Sequence, residues 1–163
     1  MTPEAVKSLI SAAATTRDKA IISLLADSGV RRGELTSIQV ADLDVELRRI
    51  KAQGKGGKEG YLVFGAATGE LLTRHLQESR PYESLFSLNF HGLKSMLRRL
   101  GERTGIKCNA HSFRRGFATE LRRKGLSELD ISELGRWSSL VMVKRYSRAY
   151  TFDYAAERYK PIV

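Results

Sequence analysis

The sequence predicts a mainly α-helical domain with one small β-hairpin, an α+β arrangement, on three observations. Cap signals followed by apolar residues three and four apart recur through most of the chain. The pattern gives way once, between Leu47 and Phe64, to two short β-prone runs around a glycine-rich turn. Hydrophobic residues make up 42% of the chain and prolines number three, so the chain is folded rather than disordered. A length of 163 residues suits one full core, and residues 1–163 are expected to form a single domain.

Thr2, Pro3 and Glu4 make a helix start, and Val6, Leu9, Ile10 and Ala13 give that first helix one apolar face. Thr15 and Asp18 form a capping box for a second helix. Its stretch Ala20 to Ala26 is apolar on too many sides to lie on a surface, so it is expected inside, ending at Gly29. Arg31-Arg32-Gly33-Glu34-Leu35 then opens a third helix with two arginines in its first turn. Cations there oppose the helix dipole, which points to a use other than helix stability.

Leu47 to Gln53 and Gly60 to Phe64 are the arms of the hairpin, and Gly54-Lys55-Gly56-Gly57-Lys58 is its lysine-bearing tip. No Walker spacing and no Gly-x-Gly-x-x-Gly can be drawn, so a nucleotide site is unsupported. Glu70 to Ser79 reads as a helix that Pro81 ends, and Ser84 to Leu88 as a short apolar connector or strand. Asn89 caps a long helix, with Phe90, Leu93, Met96, Leu97 and Leu100 toward the core. Lys94, Arg98, Arg99 and Arg103 form its basic outer face, which suits a phosphate backbone or plain solvent.

His111 opens the next helix, where it fits a cap or a core position as well as a chemical role. Phe113, Phe117 and Leu121 are the core stripe of this helix. Helical phase sets Arg114 beside that stripe, half-buried near His111, and puts Arg115 with Arg122 on the opposite face. Ser127 and Asp130 cap a further helix that ends at Gly135 in a left-handed turn. Ser138 or Ser139 starts a short helix on which Leu140, Val143, Ser147 and Tyr150 share one face, with Tyr146 at its edge. That position fits a core tyrosine with its hydroxyl at the rim, or one held ready for use. Phe152, Tyr154, Ala155 and Tyr159 suggest a last short helix with an aromatic face.

Lysine and arginine number 28 against 18 acidic residues, a formal charge of +10 that favours a polyanionic partner. One cysteine, Cys108, excludes an internal disulfide. The histidines at 75, 91 and 111 have no metal-ligand spacing, so no metal is expected. The first residues carry no signal pattern, and the run Ile21 to Ala26 is too short to span a bilayer. A cytoplasmic protein without a membrane partner is the expectation.

Taken in order, four stretches resemble the catalytic domain of the tyrosine recombinases, the phage-integrase family, over nearly the whole chain. Ser28-Gly29-Val30-Arg31-Arg32-Gly33-Glu34-Leu35 is similar to the family's Gly-Leu-Arg-x-x-Glu-Leu box, which implies Arg31 as the first catalytic arginine and Glu34 as its support. Gly54-Lys55-Gly56-Gly57-Lys58 resembles the hairpin Gly-Lys-Gly-x-Lys, implying Lys55 as catalytic lysine. His111-x-x-Arg114 resembles His-x-x-Arg, and Leu134-Gly135 through Tyr146 the closing nucleophile box. Many members carry a second histidine nine residues before the tyrosine, where this chain has Trp137. An indole N–H can donate a hydrogen bond but cannot carry protons, so that position is expected to hold a phosphate oxygen.

The resemblance implies site-specific cleavage and rejoining of double-stranded DNA, without metal or cofactor, through a 3′-phosphotyrosine on Tyr146. The basic residues Lys58, Arg98, Arg99, Arg103 and Arg122 are expected to meet DNA phosphates, and the resemblance implies protomers that assemble on DNA as a synaptic tetramer. Members commonly place a helical DNA-clamping domain ahead of the catalytic one, and residues 1–163 are expected to be the catalytic domain without it. Two alternatives stay open: a type IB topoisomerase-like nicking and closing activity with the same residues, and a non-catalytic DNA-binding module of this fold.

Overall fold

Helix α2 (Thr16–Ser28) is the axis of the core, with Ala20, Ile21, Ile22, Leu24 and Leu25 wholly buried. The computed structural model describes residues 1–53, 59–146, 156 and 159–160. Around α2 pack α1 (Pro3–Ala12), α4 (Ala66–Ser79) and α6 (Ala110–Arg123). The Thr15 hydroxyl accepts from the Asp18 amide at 3.1 Å to start α2. Gly29 ends it at φ +57°, where an added Cβ would stand 2.6 Å from the Phe117 ring. Both the turn and the close approach of α6 therefore require glycine there.

Arg31 lies one position outside α3 (Arg32–Ser37), as its N-cap, so the first turn carries Arg32 alone rather than the expected pair. The Glu34 carboxylate accepts the Arg31 backbone N–H at 3.0 Å, a bond that ends the extended stretch and begins the helix. Beyond a 3₁₀ turn at Val40–Asp42, the antiparallel sheet runs β1 (Leu43–Asp44), β2 (Arg49–Gln53), β3 (Glu59–Val63). Ile50 pairs with Leu62 and both point into the core, while Tyr61 and Val63 face outward. The two-residue strand β1 was not expected; it is too short for alternation to register. Residues 54–58, with Lys55 and Lys58, lie outside the described residues.

Helix α4 begins at Ala66, four residues earlier than its apolar pattern suggests. Asp27 of α2 caps it from a distance, accepting from the Gly65 amide at 2.9 Å and the Thr68 hydroxyl at 2.6 Å. Residues 84–88 form a connector with Leu85 and Phe86 buried, held by a bridge between Gln39 and Ser84. Asn89 caps α5 (Phe90–Thr104), and Leu93, Met96, Leu97 and Leu100 are buried as expected. Phe90 is not: it is 39% exposed, with the Arg32 guanidinium 3.2 Å above its ring.

Asn109 caps α6, and Ser127 caps α7 (Glu128–Gly135). The left-handed residue after α7 is Arg136, at φ +52°, and not Gly135 as the sequence suggested. An added Cβ on Gly135 would stand 1.8 Å from the Trp137 ring, so this glycine makes room for an indole. Ser139 caps α8 (Leu140–Tyr146), where Val143 is buried and Leu140 partly exposed. Ser147, Tyr150, Phe152, Tyr154 and Ala155 lie outside the described residues.

Two apolar clusters result. The large one surrounds α2, and a smaller one joins Ala118, Ile131 and Val143, with Leu121, Trp137 and Tyr146 against it. Helix α6 belongs to both, giving Phe113 to the first and Ala118 to the second, and Arg114 lies between them. Among the described residues, no helix is long and apolar enough to cross a membrane.

Candidate active site

Arg114 is 6% exposed, and each terminal nitrogen holds a carbonyl at the end of another helix. Nη1 donates to the Gly29 carbonyl at 2.5 Å and Nη2 to that of Gly135 at 2.6 Å. Its guanidinium lies 3.9 Å from the centroid of the Trp137 ring. Each terminal nitrogen carries two hydrogens, so one on each remains for a ligand. Burial first, then the charge of Arg31, pushes the Arg114 guanidinium down from its ordinary range to about 10, opposed by Glu34. It remains a cation at neutral pH, with its nearest carboxylate, Glu34, paired to Arg31 and Arg136 instead.

Arg31 turns toward the same place. Its Nη1 donates to Glu34 Oε1 at 2.6 Å and its Nη2 to the Arg136 carbonyl at 2.5 Å. Glu34 is nearly buried and also receives Arg136 Nη2 on Oε2 at 2.7 Å. Burial alone would raise the Glu34 carboxyl, but the Arg136 charge and hydrogen bonds from Arg31 and Arg136 bring it below its ordinary 4.5. One carboxylate thus holds two guanidiniums, with a third, Arg114, close by. The cluster keeps a net positive charge that an incoming phosphate would balance.

Of the expected catalytic residues, Arg31, His111 and Arg114 share one cavity and Trp137 and Tyr146 pack beside them, while Lys55 lies outside the described residues. A cavity of about 360 Å³ is lined by Arg31, Arg32, Lys94, Asn109, His111 and Arg114 among others. His111 meets Tyr146 edge-on at 5.4 Å between ring centroids, and Trp137 meets Tyr146 at 5.9 Å. Trp137 is sandwiched, with Phe117 stacked at 6.2 Å and Arg114 over its ring. Its indole N–H has no hydrogen-bond partner among the described residues. Thr119 ties α8 to α6 by donating to the Tyr146 carbonyl at 3.1 Å. The tyrosine therefore stands in the cluster formed by its own chain.

The basic residues proposed for DNA divide. Arg98 pairs with Glu102 at 2.8 Å, and Arg122 donates to the Leu126 carbonyl at the turn after α6. Arg99 and Arg103 lie on the other flank of α5, against the turn after α1, where Arg103 donates to the Ala12 carbonyl. Lys94, which points into the site cavity, was read as one more member of that basic face. Arg136 was missed altogether. Besides Glu34, it reaches the Tyr61 carbonyl of β3 at 3.3 Å, linking the hairpin to the clamp. Its only signal is its place between Gly135 and Trp137, and a left-handed arginine cannot be read from residue type.

Residues 1–151 match the phage integrase family. The tyrosine recombinase XerA of Saccharolobus solfataricus is 33% identical over 130 residues, covering 79% of this chain and 45% of that protein. The tyrosine recombinase XerC of Staphylococcus haemolyticus is 29% identical over 144 residues, 75% of this chain and 48% of that one. The crystal structure of XerA recombinase superposes with a TM-score of 0.88 at 26% identity, over 99% of this chain and 65% of that one. The chain spans about half the length of the curated relatives it matches. With its fold, its motif order and these matches in agreement, the chain belongs to the phage integrase family, the tyrosine recombinases.

Proposed function

We propose that this domain cuts and rejoins double-stranded DNA at specific sites through a 3′-phosphotyrosyl intermediate. The observation that carries the reading is the gathering of Arg31, His111 and Arg114 in one cavity, with His111 and Trp137 against Tyr146 and Trp137 under Arg114. Tyr146 Oη attacks the scissile phosphorus, forming a phosphotyrosine bond as the bond to the 5′-oxygen breaks. His111 takes the tyrosine proton, and Lys55 gives one to the departing 5′-oxygen. Arg31, Arg114 and the Trp137 indole hold the non-bridging oxygens, where a preorganised donor is worth about 10²–10³ in rate. Attack by the 5′-hydroxyl of another strand reverses each transfer and reseals the backbone.

Exchange between two DNA sites needs more than one tyrosine, so the working form is an assembly of this protein on DNA, a synaptic tetramer, in the compartment that holds the DNA. Relatives captured with DNA, such as XerH bound to its difH substrate, share the fold. Incubation with nicked suicide duplexes carrying candidate sites, followed by denaturing electrophoresis, tests the reading. A slowed, protein-linked DNA band is expected, with exchanged strands when two sites are present. An adduct without exchange would indicate nicking and closing alone, and no adduct would reduce the domain to a binding module.

A further inference from the structure

We propose that Arg32 and Lys94 form a second phosphate subsite, which holds the phosphate next to the scissile one on the same strand. The inference rests on reading the cavity as a phosphodiester site and adds a place for the neighbouring backbone. The cavity wall carries the cations Arg31, Arg32, Lys94 and Arg114, and no Asp or Glu lines it. One phosphodiester brings a single negative charge. Glu34, behind the wall, is already shared between Arg31 and Arg136. The surplus charge suits a second phosphate, which in a continuous strand follows at a rise of about 3.4 Å along the helix axis.

The side chains divide in the same way. Arg31 and Arg32 are adjacent in sequence but diverge: Arg31 turns to Glu34 and Arg136, whereas Arg32 turns to α5 and lies over Phe90. Phe90 and Lys94 are one helical turn apart on α5, so the ring that holds Arg32 brings it to the side of the cavity where Lys94 stands. Exposing Phe90 at the start of α5 gives up apolar burial, and the stacked guanidinium gives that exposure a use. Lys94 has no hydrogen-bond or ion-pair partner among the described residues, and neither does the Arg32 guanidinium apart from the ring.

Thymidine 3′,5′-bisphosphate carries two phosphates joined by one nucleoside, as in a strand, and thymidine 5′-monophosphate carries one. Titrating the whole chain with each, followed by NMR chemical shifts, isolates the second subsite. The bisphosphate should bind about tenfold more tightly, the worth of one charge-assisted contact. Lys94→Ala and Arg32→Ala should each remove most of that advantage, lowering bisphosphate affinity far more than monophosphate affinity, and Lys7→Ala, remote on α1, should leave both unchanged. An advantage that survives Lys94→Ala and Arg32→Ala, or that falls equally in Lys7→Ala, overturns the subsite. Loss of bisphosphate preference is independent of the suicide-substrate adduct. A chain that forms adduct without the preference keeps the recombinase reading and loses this one, and the converse result does the reverse.

Discussion

Arg114 and Trp137 are held face to face, the guanidinium 3.9 Å from the indole centroid, at the point where α2, α6 and α7 meet. The contact fixes the indole plane, and its N–H has no partner among the described residues. Trp137→Phe keeps a six-membered ring for Arg114 to pack on but removes the N–H together with one ring of the indole. Trp137→His keeps an N–H on a smaller ring. If the N–H holds a phosphate oxygen, Trp137→Phe should lose about 10²–10³ in cleavage rate and Trp137→His much less. Equal single-turnover rates for the two would remove the hydrogen bond from the account.

Gly135→Ala tests whether the site needs the indole where it stands. The added Cβ would stand 1.8 Å from the Trp137 ring, and a six-membered ring cannot yield that far without leaving the stack. The variant should fold with a stability loss of about 1–3 kcal/mol by denaturant titration and cleave far more slowly. Activity near that of the unaltered chain would show that Trp137 can move without consequence.

Glu34→Gln should cost more than a surface ion pair, because Arg136 and Arg31 would be left around a neutral amide. Breaking a buried pair in this way costs about 3–5 kcal/mol, and the partial exposure of Arg31 puts this case at the lower end. The folded carboxyl lies below its ordinary 4.5. Its stabilisation is therefore complete above pH 4.5 and is lost as pH falls through the lower folded value. Stability measured against pH should show an acid-side slope in the unaltered chain that is weaker in Glu34→Gln. Parallel curves would contradict the ion-pair argument.

Lys55 is proposed as general acid from its motif alone. A substrate with sulfur in place of the bridging 5′-oxygen has a leaving group that needs little protonation, so Lys55→Ala should be largely rescued on it. Failure of rescue would move the role to Lys58 or leave the lysine purely electrostatic.

Much of this was legible in the sequence because capping residues and apolar spacing act locally. Thr2, Thr15, Asn89 and Ser127 each start a helix where residue type alone predicts it. Helical phase places Arg114 half-buried beside the core stripe, and it is buried more deeply than that, while His111 lies edge-on to Tyr146. What stayed hidden depends on distant partners. The start of α4 is set by Asp27, thirty-eight residues before Gly65. Phe90 has the spacing of a core residue but serves Arg32, and Gly135 looks like a cap but clears space for Trp137. Arg136 carries no signal of its own, since its position is fixed by Glu34 and Tyr61, which pattern cannot connect to it.

A nucleophilic Tyr146 becomes covalently joined to DNA. Peptide mass spectrometry of the trapped adduct measures it most directly, with Tyr146→Phe carried in parallel and DNA binding checked by fluorescence anisotropy. A 3′-linked nucleotide on the peptide containing Tyr146 is expected, together with a Tyr146→Phe variant that binds DNA as tightly and forms no adduct. An adduct on any other residue, or one that persists in Tyr146→Phe, would contradict the account.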